Sequence, residues 1–203
     1  MSVDTATMDP QRTAFDQSSR DSFESTKCLL AAFDRLGVPE TMLDVGCGPG
    51  HLVGIADLFN ISATGVDLNA FSSELDVPNL YSRDLTAKPN AWDREFIYRP
   101  AGLVLCLEVA EHLPPESADT LCDTLASAVA PGGWLLFSAA TPGQGGSGHL
   151  NEQPHAYWVE KLAARGLVVD EWHTDELRDD WARCAARAPW YGANLVCFSQ
   201  GQS

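Results

Sequence analysis

Three glycines at alternate positions, Gly46, Gly48 and Gly50, are the most chemically informative group in the 203-residue sequence. Glycine turns tightly and leaves no Cβ between the backbone and a ligand, so such a run suits a loop that wraps a small molecule. The spacing is not the G-x-G-x-x-G of dinucleotide enzymes, because His51 stands where the third glycine would be, and no G-x-x-x-x-G-K-[ST] phosphate loop is present. Asp67 follows the loop by about 20 residues, at the expected end of the next strand, where a carboxylate can accept from both hydroxyls of a ribose. Asp84 ends a third strand, placed to accept from the exocyclic amine of adenine. Leu68 and Leu85 follow the two aspartates and could flank an adenine ring, although core packing accounts for each nearly as well. The plain alternatives are a solvated strand end or helix cap for Asp67 and a turn residue for Asp84.

These groups meet only if successive strand ends are brought side by side, and the hydropathy pattern supplies such elements. Thr41 to Val45 reads as a short buried strand before the glycine loop, His51 to Phe59 as the helix after it, and Ser62 to Val66 as the second strand. Leu80 to Ser82 is a weak third strand, and Leu103 to Leu107 is apolar on both faces, as a central parallel strand should be. A helix from Ser117 to Val129, a turn at Pro131-Gly132-Gly133, a strand from Trp134 to Ser138 and a Gly-rich loop over 139–149 follow. Helix Ala156 to Arg165, strand Leu167 to Glu171, helix Glu176 to Ala186 and strand Asn194 to Phe198 come last. Upstream, Phe23, Leu29, Leu30, Phe33 and Leu36 line one face of a helix from Asp21, stopped by Gly37 and Pro39. Residues 1–20, rich in polar types, read as a flexible lead-in. The alternation predicts one α/β domain over 21–203, a doubly wound and mostly parallel sheet with its ligand at the carboxyl ends of the strands. The last two strands, with shorter connections, suit an antiparallel edge pair.

Charge and cysteine usage restrict the partners. Thirteen Lys and Arg against 28 Asp and Glu give a net charge of −15, and the cations are scattered. Nucleic acid is therefore disfavoured, because phosphate neutralisation drives that binding. Six cysteines form no C-x-x-C pair and lie mostly in apolar runs, which points to buried reduced thiols rather than disulfides or zinc. Apolar runs such as Ala101 to Leu107 are far shorter than the roughly 18–20 residues of a membrane helix. The first 25 residues lack the basic start and apolar stretch of a secretory signal, so the expected location is the cytoplasm.

Taken together, the motifs resemble the class I S-adenosylmethionine-dependent methyltransferases. Leu43-Asp44-Val45-Gly46-Cys47-Gly48-Pro49-Gly50 is similar to their first motif and Gly65-Val66-Asp67-Leu68 to their second. Leu103 through Leu113, which carries Glu108-x-x-Glu111-His112, is similar to the fourth-strand motif, and Ala130 through Leu136 to the turn and strand after it. The likeness runs in order over about residues 40–170; one departure is Ala101-Gly102, where many relatives carry an aspartate. The resemblance implies the family's seven-stranded Rossmann-like sheet and S-adenosylmethionine as cofactor. By the same resemblance the loop Asp44, Gly46, Cys47, Gly48 and Gly50 holds the cofactor, with Asp44 orienting the loop and meeting the cofactor's amino group. Gly46 and Gly48 then pass its methionine portion, and the Leu107 backbone lies near the sulfonium.

Methyl transfer from a sulfonium needs an aligned acceptor and, for a hydroxyl, a base. Of five histidines, His149 closes the loop from Gly143 over the expected acceptor position, and His112 follows the fourth strand, so these two are the candidate bases. A loop or helix-capping histidine and a packing histidine are the respective alternatives. Trp181, Trp190 and Tyr191 suit either an apolar platform for a sugar ring or ordinary core. Glu108, Glu111, His112 and His149 also resemble the magnesium set of small-RNA 3′-end 2′-O-methyltransferases, whereas nothing else in the sequence asks for a metal. Three readings follow: O-methylation of a small molecule or sugar, metal-assisted methylation of an RNA end, and a non-catalytic cofactor-binding module.

Overall fold

The computed structural model describes residues 26–68, 77–185 and 187–201. Seven strands, β1 (Thr41–Val45), β2 (Ser62–Asp67), β3 (Leu80–Ser82), β4 (Ala101–Leu107), β5 (Val129–Ser138), β6 (Leu167–Val169) and β7 (Val196–Gln200), form one sheet. Its order is β3-β2-β1-β4-β5-β7-β6. The first five strands are parallel, and β7 runs antiparallel to both β5 and β6. The helices are α1 (residues 26–36), α2 (His51–Leu58), α3 (Ala91–Phe96), α4 (Ala118–Ala128), α5 (His155–Ala163), α6 (Glu171–Cys184) and α7 (Trp190–Asn194).

Alternation along β4 creates the two layers. Leu103 and Leu105 pack with Leu29 and Phe33 of α1, Leu52 and Val53 of α2, and Leu177 and Trp181 of α6. Val104 and Cys106 face the other way, onto Leu121 and Leu125 of α4 and Trp158 and Leu162 of α5. Successive side chains of a strand point to opposite faces, so a strand covered on both sides must be apolar throughout. Each such leucine, fully buried, contributes about 1.5–3 kcal/mol. Trp181 adds direction, because its indole N–H donates to the Cys28 carbonyl at 3.0 Å and ties α6 to α1.

The strand order reverses between β1 and β4, both hydrogen-bonded at Leu43 and Asp44. At such a reversal the loops after the two strands diverge to opposite faces and leave a crevice at the carboxyl ends. Val45 leads there into the glycine loop, and Leu107 into Glu108.

Several boundaries differ from those read in the sequence. The edge strand β6 stops at Val169 because Asp170 caps α6, its side chain accepting from the His173 N–H, so the helix starts at Glu171 and not at Glu176. The polar first turn of α6 hid that start. The Pro131-Gly132-Gly133 turn belongs to β5, as a bulge where the register with β4 shifts between Ala101 and Leu103. Any side chain at Gly133 would press on the carbonyls of Ala101 and Ala130. Two short helices were not foreseen: α3, closed by a reciprocal Asn90–Asp93 capping box, and α7, which takes Asn194 out of the last strand. The expected antiparallel pairing of the last two strands is present, with β6 at the edge and β7 inside the sheet. The lead-in over 1–20, the helix start from Asp21 with Phe23, and Ala186 lie outside the described residues.

Candidate active site

At the end of β1 the chain turns back on Gly46, whose φ of 82° favours glycine, and both Gly46 N–H and Cys47 N–H donate to the Val66 carbonyl at 2.7 and 3.1 Å. A Cβ on Gly46 would stand 2.2 Å from Val109 Cγ2, so the loop and the segment after β4 approach too closely for any side chain. Gly50, also left-handed, serves as the N-cap of α2. Asp67 accepts from Gly48 N–H at 3.1 Å, which fixes the end of β2 against the loop.

Asp44 is almost fully buried, and its carboxyl is pushed up to about 7, first by burial and then by the charge of Asp67. The same burial, with the charges of Asp44 and Asp67 adding, holds the Cys47 thiol far above its ordinary range, so it is no nucleophile here. Asp44, Gly46, Cys47 and Leu107 line one cavity together with His51, Leu52 and Tyr191. Tyr191, read from the sequence as part of an apolar platform or as core, becomes a wall of this cavity through α7, an element that sequence reasoning missed.

The remaining cofactor candidates follow β2 and β3. Leu68 is exposed, with its carbonyl accepting from Ser82 Oγ at 2.7 Å. Asp84 is exposed and accepts from the N–H and hydroxyl of Thr86 at 2.9 and 2.7 Å, a turn that holds its pKa below the usual carboxylate value. Leu85 packs partly buried against the layer of α4 and α5. Another cavity among the described residues, of about 220 Å³, is lined by Thr41, Ser62 and Arg99 and by none of the candidate cofactor residues.

The end of β4 carries a second group of side chains. Glu108 adopts a left-handed φ of 55°, with its N–H meeting both the carbonyl and the hydroxyl of Ser138 at 3.0 and 3.1 Å. Its carboxylate accepts from Asn194 Nδ2 at 3.1 and 3.2 Å, and the same Nδ2 lies 3.0 Å from Gln144 Oε1. One amide thus joins α7, the strand end and the glycine-rich loop. Burial raises the Glu108 pKa, opposed by Asn194 and Ser138.

Glu111 is wholly buried, and its carboxyl is pushed up to about 8, first by burial and then by the charge of Glu108. Its own amide and that of Ala140 lie near enough to ease the charge, and the Glu108 carboxyl is near enough to favour a proton on Glu111, yet neither Glu111 oxygen has a partner in hydrogen-bonding geometry among the described residues. His112 reaches solvent, but enough of its ring is covered that burial, and then the charge of His149, lowers its pKa. The His112 and His149 rings meet edge to face at 4.9 Å.

His149 is held by the loop it closes. Its Nδ1 lies 2.8 Å from Glu152 Oε1, and Leu150 and Asn151 N–H donate to the Glu111 carbonyl at 2.7 and 2.9 Å. Glu111, His112 and His149 each offer a ligand atom, all within 4.8 Å of one another. One hard oxygen and two imidazoles suit a divalent cation, and a buried carboxylate without a hydrogen-bonding partner among the described residues fits such an ion. The residues therefore fit a metal that the sequence suggested only through resemblance.

A parallel sheet closed by an antiparallel seventh strand, with a glycine turn after β1 and a carboxylate ending β2, has the architecture of the class I S-adenosylmethionine-dependent methyltransferases. A family model described as a methyltransferase domain matches residues 20–187, and the chain belongs to that family. It is 35% identical over 141 residues to a ubiquinone biosynthesis O-methyltransferase of Chromobacterium violaceum, covering 63% of this chain and 51% of that protein. The chain thus spans about half the length of the curated relatives it matches. Among solved structures it is similar in fold to a sugar N-methyltransferase from a Streptoalloteichus species, with a TM-score of 0.67 at 16% identity over 100% of this chain and 97% of that one. The N-methyltransferase of Bradyrhizobium japonicum in complex with S-adenosyl-L-homocysteine gives a TM-score of 0.60 at 19% identity, over 96% and 93% of the two chains. No helix among the described residues is long and apolar enough to cross a membrane.

Proposed function

We propose that the protein methylates a hydroxyl oxygen of a small molecule or sugar, using S-adenosylmethionine, in the cytoplasm. The observation that carries this reading is the contact of His149 with His112, five residues after Leu107, which itself lines a cavity with Asp44 and Gly46. S-adenosylmethionine supplies a methyl group on a sulfonium, so transfer forms a C–O bond, breaks the C–S bond and leaves the electron pair on sulfur. The chain's own part begins with Gly46 and Gly48, which admit the methionine portion past bare backbone, and Asp67, which accepts from the ribose hydroxyls. Asp44, held partly protonated by burial, ionises against the ligand's ammonium. His149 takes the acceptor's proton, with His112 packed against its ring. The lowered pKa of His112 keeps that ring uncharged near neutrality, which spares His149 a cationic neighbour.

Two findings support a small oxygen acceptor: the name shared by the curated relatives and a net charge of −15, which opposes a polyanion such as RNA. The test is transfer of labelled methyl from S-adenosylmethionine to a panel of phenols, catechols and sugars. Methyl transfer abolished by His149→Ala supports the reading; cofactor binding with no turnover on any acceptor supports a non-catalytic binding module instead.

A second reading has its own observation, the buried carboxylate of Glu111, which has no partner in hydrogen-bonding geometry among the described residues and stands near two imidazoles. Glu111, His112 and His149 would hold a divalent cation, whose chemistry is to orient a hydroxyl and ease its ionisation. Loss of turnover in EDTA, restored by excess magnesium or manganese, selects this reading over the metal-free one.

A further inference from the structure

His149 owes its position to one residue outside the motifs, Glu152. The loop before it is glycine-rich, and Gly143, Gly145 and Gly148 all adopt left-handed φ values of 85°, 72° and 78°. Backbone of this kind is costly to order, since glycine loses more freedom than any other residue on folding. Glu152 gathers it. Oε2 accepts from Gly143 N–H at 2.8 Å, and Oε1 accepts from Gly145 N–H at 2.8 Å and faces His149 Nδ1 at 2.8 Å.

A carboxylate can only accept, so the nitrogen facing it carries the proton, and the lone pair of a neutral His149 then sits on Nε2. The ring is confined on two further sides. A Cβ on Gly146 would stand 2.2 Å from His149 Nε2 and 2.4 Å from Cε1, so only glycine lets the imidazole lie where it does. His112 meets the ring at 87°. Carboxylate, bare Cα and neighbouring ring together leave His149 one orientation.

We infer that Glu152 is a positioning residue for methyl transfer: it fixes the proton of His149 on Nδ1, leaves Nε2 free to take the acceptor's proton, and orders the loop in the same contact. The inference rests on the proposed role of His149 at the acceptor, and it holds equally for Nε2 as a base or as a cation ligand.

The experiment is nitrogen-15 NMR of the histidine side chains, with the His149 signals assigned by their loss in His149→Ala. At about pH 8, where an ordinary imidazole is neutral, the wild type should show the Nδ1–H tautomer. Glu152→Gln, whose amide oxygen still accepts from Nδ1–H, should keep it, and Glu152→Ala should lose it in favour of a mixture. In turnover with whichever acceptor the panel identifies, Glu152→Ala should lower kcat by about 10–100-fold with S-adenosylhomocysteine affinity unchanged, and Glu152→Gln should recover most of that loss. Unchanged cofactor affinity also certifies that the variants are folded. A wild-type His149 protonated on Nε2, or a tautomer indifferent to Glu152→Ala, overturns the inference. So does a defect confined to acceptor KM, which would make Glu152 a loop tie alone. The tautomer arm needs no acceptor, so failure of this inference and failure of the proposed transfer are read separately.

Discussion

The two halves of the crevice are made of different material. At the ends of β1 and β2 the site is backbone: glycines in left-handed conformations, a Val66 carbonyl holding two amides, and one carboxylate fastened to Gly48. At the ends of β4 and β5 it is side chains: Glu108, Glu111, His112 and His149, with Asn194 and Glu152 reaching in from far along the chain. A backbone cradle accepts one ligand shape and tolerates no Cβ. A cluster of titratable groups can be retuned by its neighbours, which suits the half proposed to meet the acceptor.

Substitutions can break that division. If the acceptor half does chemistry, His149→Ala should lower kcat by about 10²–10⁴-fold while S-adenosylhomocysteine affinity stays nearly constant. Wild-type turnover in that variant would remove the imidazole from the reaction and pass the role to His112.

Asp44 sharpens the contrast, as a buried carboxyl in the cofactor half whose pKa is raised far enough to titrate near neutrality. Its folded pKa of about 7 lies above the ordinary carboxylate value of 3.8, so the folded state keeps a proton that the unfolded chain loses. Stability should therefore fall as pH rises from about 4 to 7, by about 2–4 kcal/mol for this group. Asp44→Asn, always uncharged, should flatten the difference curve measured by denaturant titration. Parallel curves for variant and wild type would show that the carboxyl is solvated.

Asp67→Ala should weaken the cofactor by about 2–3 kcal/mol, through loss of a charged acceptor for two hydroxyls, and leave kcat at saturation little changed. Calorimetry showing wild-type affinity would place the ribose elsewhere. The smallest effect is expected at Asp84, whose Oδ1 is already engaged by Thr86. Asp84→Ala should cost less than about 1 kcal/mol in cofactor binding, and a loss as large as that at Asp67 would support the adenine role read from the sequence.

The contrast also explains what was legible. Strands such as Leu103 to Leu107 and the loop around Gly46 announce themselves through local hydropathy and glycine spacing, and both appear where the sequence places them. Asp84 shows how a strand-end aspartate and an Asx turn look alike in a sequence, since only the structure brings Thr86 onto its carboxylate. The acceptor half was read only in part. His112 and His149 were suspected, and they meet; Asn194, read as strand, bonds Glu108 across a separation of 86 residues. No periodicity encodes such a contact. The Glu152 link was within reach, since a carboxylate three residues after a histidine is a recognisable spacing, but nothing local says that the loop folds back to meet it.

One feature of the sheet bears on how the protein is made. Strand β7 lies between β5 and β6, although it follows both in the chain. During synthesis, which proceeds from the amino end at about 5–20 residues per second, the half around Gly46 can assemble while β5 still lacks its outer neighbour. The bond from Asn194 to Glu108 forms only when α7 has left the ribosome, just ahead of β7. A nascent chain would thus acquire its cradle for the cofactor before its acceptor side is closed, and a translational pause between β6 and β7 would hold the edges of two strands open to stray pairing.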